Sequence, residues 1–130
     1  EASALCLQID DQRDYYLVAH ERRALRSGGP LVSDAQAVLV RCDGDSQPHQ
    51  LCLLNGSFVE LDGRPLVTAE ETFRSLELSW TADSLAVHAD QPIGAILWAG
   101  GARNLIVGGG ERRTIAPVNE QIAVFGDWLD

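Results

Sequence analysis

Three histidines, three cysteines and nineteen acidic side chains are the groups in this chain that could do chemistry. The histidines, His20, His49 and His88, lie far apart, and no HxH or HExxH pattern occurs. Metal ligands on strands come as HxH, because period two puts both rings on one face. No metal site is therefore expected. There is no GxSxG nucleophile elbow. Asp43 and Asp45 flank Gly44 like a fragment of a calcium loop, but without the remaining oxygen ligands the segment reads as a turn. Gly108-Gly109-Gly110 has the composition of a phosphate loop and lacks the Lys-Ser/Thr that would follow it, so it reads as a hairpin or bulge. Among nineteen carboxylates some pair is close by chance, so paired-carboxylate catalysis is assigned to none. No catalytic residue, metal or cofactor is assigned.

Cys6, Cys42 and Cys52 are odd in number, which argues against a complete disulfide framework. If 36–43 and 48–54 form a hairpin across Asp43-Gly44-Asp45-Ser46, Cys52 faces Leu39 and Cys42 faces His49. That separates the two sulfurs too far for a bridge. All three read as buried small hydrophobes, with no basic cluster to activate a thiolate.

The aromatics are the remaining candidates. Trp80 falls on the apolar face of its strand and reads as core. Trp98 ends an apolar strand before Ala99-Gly100-Gly101. A core or interdomain role is favoured there over an exposed platform on which a sugar ring stacks. Tyr15 and Tyr16 are adjacent, so a strand points them to opposite sides and only one can be buried.

These residues need a scaffold. The 130 residues fit one domain, 1–130, and 45% hydrophobic content is enough for a core without disulfide or metal. A net charge of −9 repels phosphate backbones and anionic lipid, so neither nucleic acid nor membrane is an expected partner. All ten basic residues are Arg, which reads as coding bias rather than as selection for bidentate anion contacts. The chain has no Met and starts Glu1-Ala2-Ser3, which suggests a segment cut from a longer protein or a processed one.

Turn signals at Gly28-Gly29-Pro30, Asp43-Gly44, Asn55-Gly56, Asp62-Gly63, Gly100-Gly101 and Gly108-Gly109-Gly110 separate runs of four to eight Val/Leu/Ile-rich residues. That spacing predicts an all-β fold, an antiparallel β-sandwich of about ten to twelve short strands. In 74–80, Leu76, Leu78 and Trp80 face one way; in 84–90, Leu85, Val87 and Ala89 do. Thr81-Ala82-Asp83 joins the two as a hairpin. A second hairpin runs 57–61 and 64–68 around Asp62-Gly63, with Pro65 on an edge or before the strand proper. Strands 35–42, 48–54, 93–98 and 103–107 are apolar on both faces. They lie in the middle of a layered structure or are covered by another domain. Only 68–74 has helix-friendly composition, and it is too short to stand alone.

Three segments carry a family likeness. Asp14-Tyr15-Tyr16-Leu17-Val18, Arg41-Cys42-Asp43-Gly44-Asp45 and Leu53-Leu54-Asn55-Gly56-Ser57-Phe58-Val59-Glu60-Leu61-Asp62-Gly63-Arg64-Pro65-Leu66 together resemble the C-terminal β-domain of heparinase II/III-like polysaccharide lyases. Ile96 to Gly109 is similar to the apolar strand, small-residue turn and V-x-V-(N/G)-G pattern near the end of carbohydrate-active enzymes. The resemblance implies a non-catalytic domain of a glycosaminoglycan- or alginate-type lyase, whose proton-transferring Tyr and His lie upstream and map onto no residue here. It implies the catalytic region of the same parent chain as partner, polysaccharide as a further one, and export to the periplasm or beyond. Three unpaired cysteines point away from export. The alternatives are an independent carbohydrate-binding module using Trp98 and a neighbouring tyrosine, and a structural sandwich with protein partners.

Overall fold

A computed structural model describes residues 2–9, 12–19, 25–44 and 47–126. In chain order the strands are β1 (Ala2–Ile9), β2 (Gln12–Ala19), β3 (Arg26–Gly28), β4 (Leu31–Ser33), β5 (Ala37–Cys42), β6 (Pro48–Leu61), β7 (Arg64–Trp80), β8 (Ser84–Ala89), β9 (Ile93–Trp98), β10 (Asn104–Val107), β11 (Arg113–Thr114) and β12 (Gln121–Gly126). The fold is all-β, as the turn spacing implies. The described residues contain no helix long and apolar enough to cross a membrane.

Two strands, β6 and β7, are long, and their hairpin belongs to two leaves. In the first leaf the order is β1-β2-β5-β6-β7-β8-β10-β11. In the second, β3 and β4 flank the C-terminal part of β6, and β9 and β12 flank the N-terminal part of β7. Every pairing is antiparallel except β8 with β10, which are parallel because the chain crosses to β9 in the other leaf between them. Leu53, Leu76, Leu78 and Leu85 of the first leaf share one core with Leu61, Leu66, Leu97 and Val124 of the second. Each fully buried Leu contributes roughly 1.5–3 kcal/mol.

Asp62 and Gly63 both adopt positive φ, 52° and 76°, which a two-residue hairpin turn with right-handed twist requires. The β7–β8 hairpin pairs Trp80 with Leu85 and closes with Thr81 N–H donating to Ser84 O at 2.9 Å. Pro65 sits within β7 opposite Glu60, and Leu66 bulges beside it, since Val59 pairs Val67. Among the described residues no strand is paired with residues 64–66 on the β9 side, so the missing N–H costs no ladder bond there. The helix-friendly segment 68–74 is strand throughout.

Asn55-Gly56 is not a hairpin turn. The strand continues through it, with Asn55 at φ 54°, and kinks there from one leaf into the other. Pairing steps from Gly56–Phe73 to Phe58–Thr68, so Ala69 to Thr72 bulge out of β7 opposite Ser57 alone. Gln36, in the β4–β5 connection, donates its N–H to Leu54 O and Asn55 O at 3.0 and 3.1 Å, at the point along β6 where pairing with β5 ends and before pairing with β4 begins.

Candidate functional site

Strand alternation splits each leaf into an inner and an outer face. On the inner face of the first leaf, Leu17, Val38, Leu53 and Leu76 lie in one row, and Tyr15, Val40, Leu51, Leu78 and Val87 in the next. All are buried. On the outer face the cross-strand rows are Val18–Ala37–Leu54 and Tyr16–Leu39–Cys52. Tyr15 is therefore in the core and Tyr16 outside, as adjacency demands. Val18 and Leu54 are 47% and 52% exposed, and the other four are half-buried.

These six residues form one apolar block over β2, β5 and β6. Its span is about 10 Å across the strands and about 7 Å along them. By register the rows continue onto β1 at Ser3 and Leu5 and onto β7 at Ser75 and Glu77. One strand step along, Asp14 and Arg41 make an ion pair at 3.5 Å and bound the block with charge. The strands read as apolar on both faces thus have one face in the core and one only partly covered.

Where the leaves meet at the C-terminal ends of β7 and β9, two tryptophans join them. Trp80 Nε1–H donates to Trp98 O at 2.8 Å, and the rings are 5.6 Å apart and tilted by 58°. The Arg64 guanidinium lies 4.9 Å from the Trp98 ring centroid. Trp98 is 5% exposed, so it is core and offers no open face for stacking. Its Nε1–H has no acceptor among the described residues. Gly100, at φ 58°, presses on this ring: an added Cβ would lie 2.9 Å from Trp98 Cη2. Gly100→Ala combines that contact with a strained backbone and is expected to cost about 2–3 kcal/mol, measured by urea unfolding. A cost of only about 1 kcal/mol, the backbone strain alone, would show that the ring is free to move.

The titratable candidates do not converge. His49 is half-buried beside the tryptophans, His88 is exposed on the outer face of β8, and His20 and Asp45 lie outside the described residues. No three His, Cys, Asp or Glu among the described residues are placed to share a metal. The β5–β6 register puts Cys52 opposite Leu39 as expected, but a bulge at Arg41/Cys42 puts Cys42 opposite Pro48 instead of His49. Cys42 is buried and Cys52 half-buried; Cys6 is exposed, a correction to the reading of all three as buried. Its strand, β1, lies at the edge of the leaf and, among the described residues, pairs only β2.

Burial pushes the Cys42 thiol up to about 11, with Asp43, Asp62 and Asp14 adding and Arg64 opposing. Burial and then Glu77 raise Cys52 as well, against Arg41. With a disulfide-exchange reagent near pH 8, one thiol, that of Cys6, is expected to react at once, and Cys42 only on unfolding. Cys6→Ser should abolish the fast phase. Because the Cys42 thiol ionises at higher pH when folded, its contribution to stability is full below pH 9 and lost as pH rises from 9 to about 11.

No protein-family model matches the chain, and no curated protein matches it.

Proposed function

We propose that this chain is a non-catalytic β-sandwich domain of a polysaccharide lyase, of glycosaminoglycan- or alginate-acting type, that docks on the lyase's catalytic region through the outer face of β2, β5 and β6. The observation that carries the docking is the apolar block of Val18, Ala37, Leu54, Tyr16, Leu39 and Cys52, left half-covered on a chain of net charge −9. Burial of such a block against a partner is favourable at roughly 25 cal/mol per Å2. The resemblance of the 53–66 segment to the C-terminal domains of heparinase II/III-like enzymes supports the identity of the partner.

The test mixes the chain with a catalytic region of that lyase class lacking its own C-terminal domain. Co-elution on size exclusion is expected, and Leu54→Glu should abolish it while leaving the unfolding free energy within about 0.5 kcal/mol, since the side chain already meets water. The chain alone, given heparan sulfate, hyaluronate or alginate, should produce no ultraviolet-absorbing unsaturated sugar. Turnover by the chain alone, or no complex with any such region, overturns the proposal.

A further inference from the structure

Strand β1 (Ala2–Ile9) ends the first leaf and, among the described residues, pairs only β2. We propose that its outer edge pairs antiparallel with β1 of a second copy of this chain, joining two first leaves into one sheet across a twofold axis at Leu5. The pairing lies in the plane of the sheet, so it is separate from the docking face and does not rest on it.

Backbone direction is the first ground. Ala19 N–H donates to Gln36 O at 2.7 Å, so at the end of β2 the Ala19 backbone faces β5. Successive residues of a strand send their N–H and C=O to opposite sides. Val18, Tyr16 and Asp14 therefore face β1, and their partners Ser3, Leu5 and Leu7 face back. Ala2, Ala4 and Cys6 send their backbone groups away from β2, toward the outer edge. A row of donors and acceptors along an edge is a template for another strand.

The other edges are blunted. β11 is two residues long and β3 three, and each carries an arginine, Arg113 and Arg26. On the outer side of β12, Gln121 is already bonded by Val118, and Pro117 precedes it. β1 has none of these devices: it keeps an unbroken register with β2 and contains no Pro, no Gly and no charge. Its Cys6 and Gln8 side chains are exposed.

Geometry selects the occupant and the register. In antiparallel pairing, residues facing the new strand stand opposite residues that face it in turn. With Leu5 opposite Leu5 of the second copy, Ala4 meets its Cys6 and Ala2 its Gln8. Only Ile9, whose backbone faces β2, is left over. Centring on Cys6 would leave Ala2 opposite no strand residue. The Leu5 register also continues an outer apolar row, Cys52–Leu39–Tyr16–Leu5, through Leu5 of the second copy to its Tyr16. Two chains of net charge −9 repel, and salt screens that repulsion.

Sedimentation equilibrium under reducing conditions is expected to show a reversible dimer that tightens at least about three-fold between about 0.05 and about 0.5 M sodium chloride. Ala4→Pro removes an outward N–H that bonds nothing in the β1–β2 ladder, so it should weaken the dimer roughly ten-fold or more with a native spectrum. If that variant does not fold, Cys6→Glu, at an exposed residue, reads the same loss by placing like charge at the junction. In a Cys6→Ser background, Leu5→Cys should oxidise to a covalent dimer, because residues directly opposed on the axis stand about 4.5 Å apart between Cα atoms, within disulfide range. Native Cys6 lies diagonally from Cys6 of the second copy, roughly 7–8 Å away, and should not link. A monomer up to about 1 mM at both salt concentrations, a dimer that loosens with salt or that the edge variants leave intact, or cross-linking through Cys6 in place of Leu5→Cys overturns the proposal.

Discussion

Gly56→Ala is expected to lower stability by about 3 kcal/mol or more and the melting temperature by about 10 °C or more. An added Cβ at this position would lie 2.5 Å from Ala35 Cβ, 2.6 Å from Ala35 Cα and 3.1 Å from Ala35 N. None of these atoms belongs to a flexible side-chain end. Ala35 is fully buried, and its N–H is held by Ser33 Oγ at 3.0 Å. The β4–β5 connection and the kink of β6 would have to separate, which opens the seam between the leaves. Gly63→Ala is the control: its φ is 76°, but nothing lies within 4 Å of the new Cβ, so only backbone strain of about 1 kcal/mol is expected. Adding Ala35→Gly to Gly56→Ala should recover part of the loss by removing the closest atom, a coupling that a double-mutant cycle by urea unfolding would read. A Gly56→Ala cost below about 1 kcal/mol would rule out the close approach.

The same glycine marks where sequence reasoning fails. Hairpins were legible where polar or Gly-containing links separate alternating runs: Asp62-Gly63, with positive φ at both residues, and Thr81-Ala82-Asp83, without it, both connect paired strands. Asn55-Gly56 carries the same local signal and is a kink in a continuous strand. Positive φ at Asn55 serves either, and only Ala35, twenty-one residues away in sequence, decides between them. The Cys42 register slipped by one for a related reason, because a bulge at Arg41/Cys42 is invisible to period two. The burial of Trp80 followed from alternation, whereas the Trp98 environment did not. Arg64 and Trp80 reach it from two other segments, and no local pattern announces those neighbours. The outer apolar block was half legible: strands apolar on both faces announced a second covered surface, and the register shows which six side chains form it.

Asp34→Ala is expected to cost about 3–5 kcal/mol, because the carboxylate stands in for a strand. Along β6, pairing with β5 ends at Leu54 and pairing with β4 begins at Val59. Between them Asp34, only 6% exposed, accepts Ser57 N–H at 2.8 Å and Phe58 N–H at 3.0 Å on Oδ1, and the Ser57 hydroxyl at 2.6 Å on Oδ2. Ser33 Oγ, at the end of β4, donates to Phe58 O at 2.6 Å. Alanine leaves two backbone donors without these bonds at a half-buried kink, each worth about 1–3 kcal/mol. Asp34→Asn keeps Oδ1 for the two amides, and the Ser57 hydroxyl can turn to accept from Nδ2, so about 1–2 kcal/mol is expected. Urea unfolding should rank wild type above Asn above Ala, and hydrogen exchange should show Ser57 and Phe58 losing protection first. An alanine variant within about 1 kcal/mol of wild type, or one whose two amides stay protected, would show that another group holds the kink. The consequence reaches the proposed docking face, because Leu54 stands at its edge three residues before Ser57, on the strand segment whose direction this carboxylate fixes.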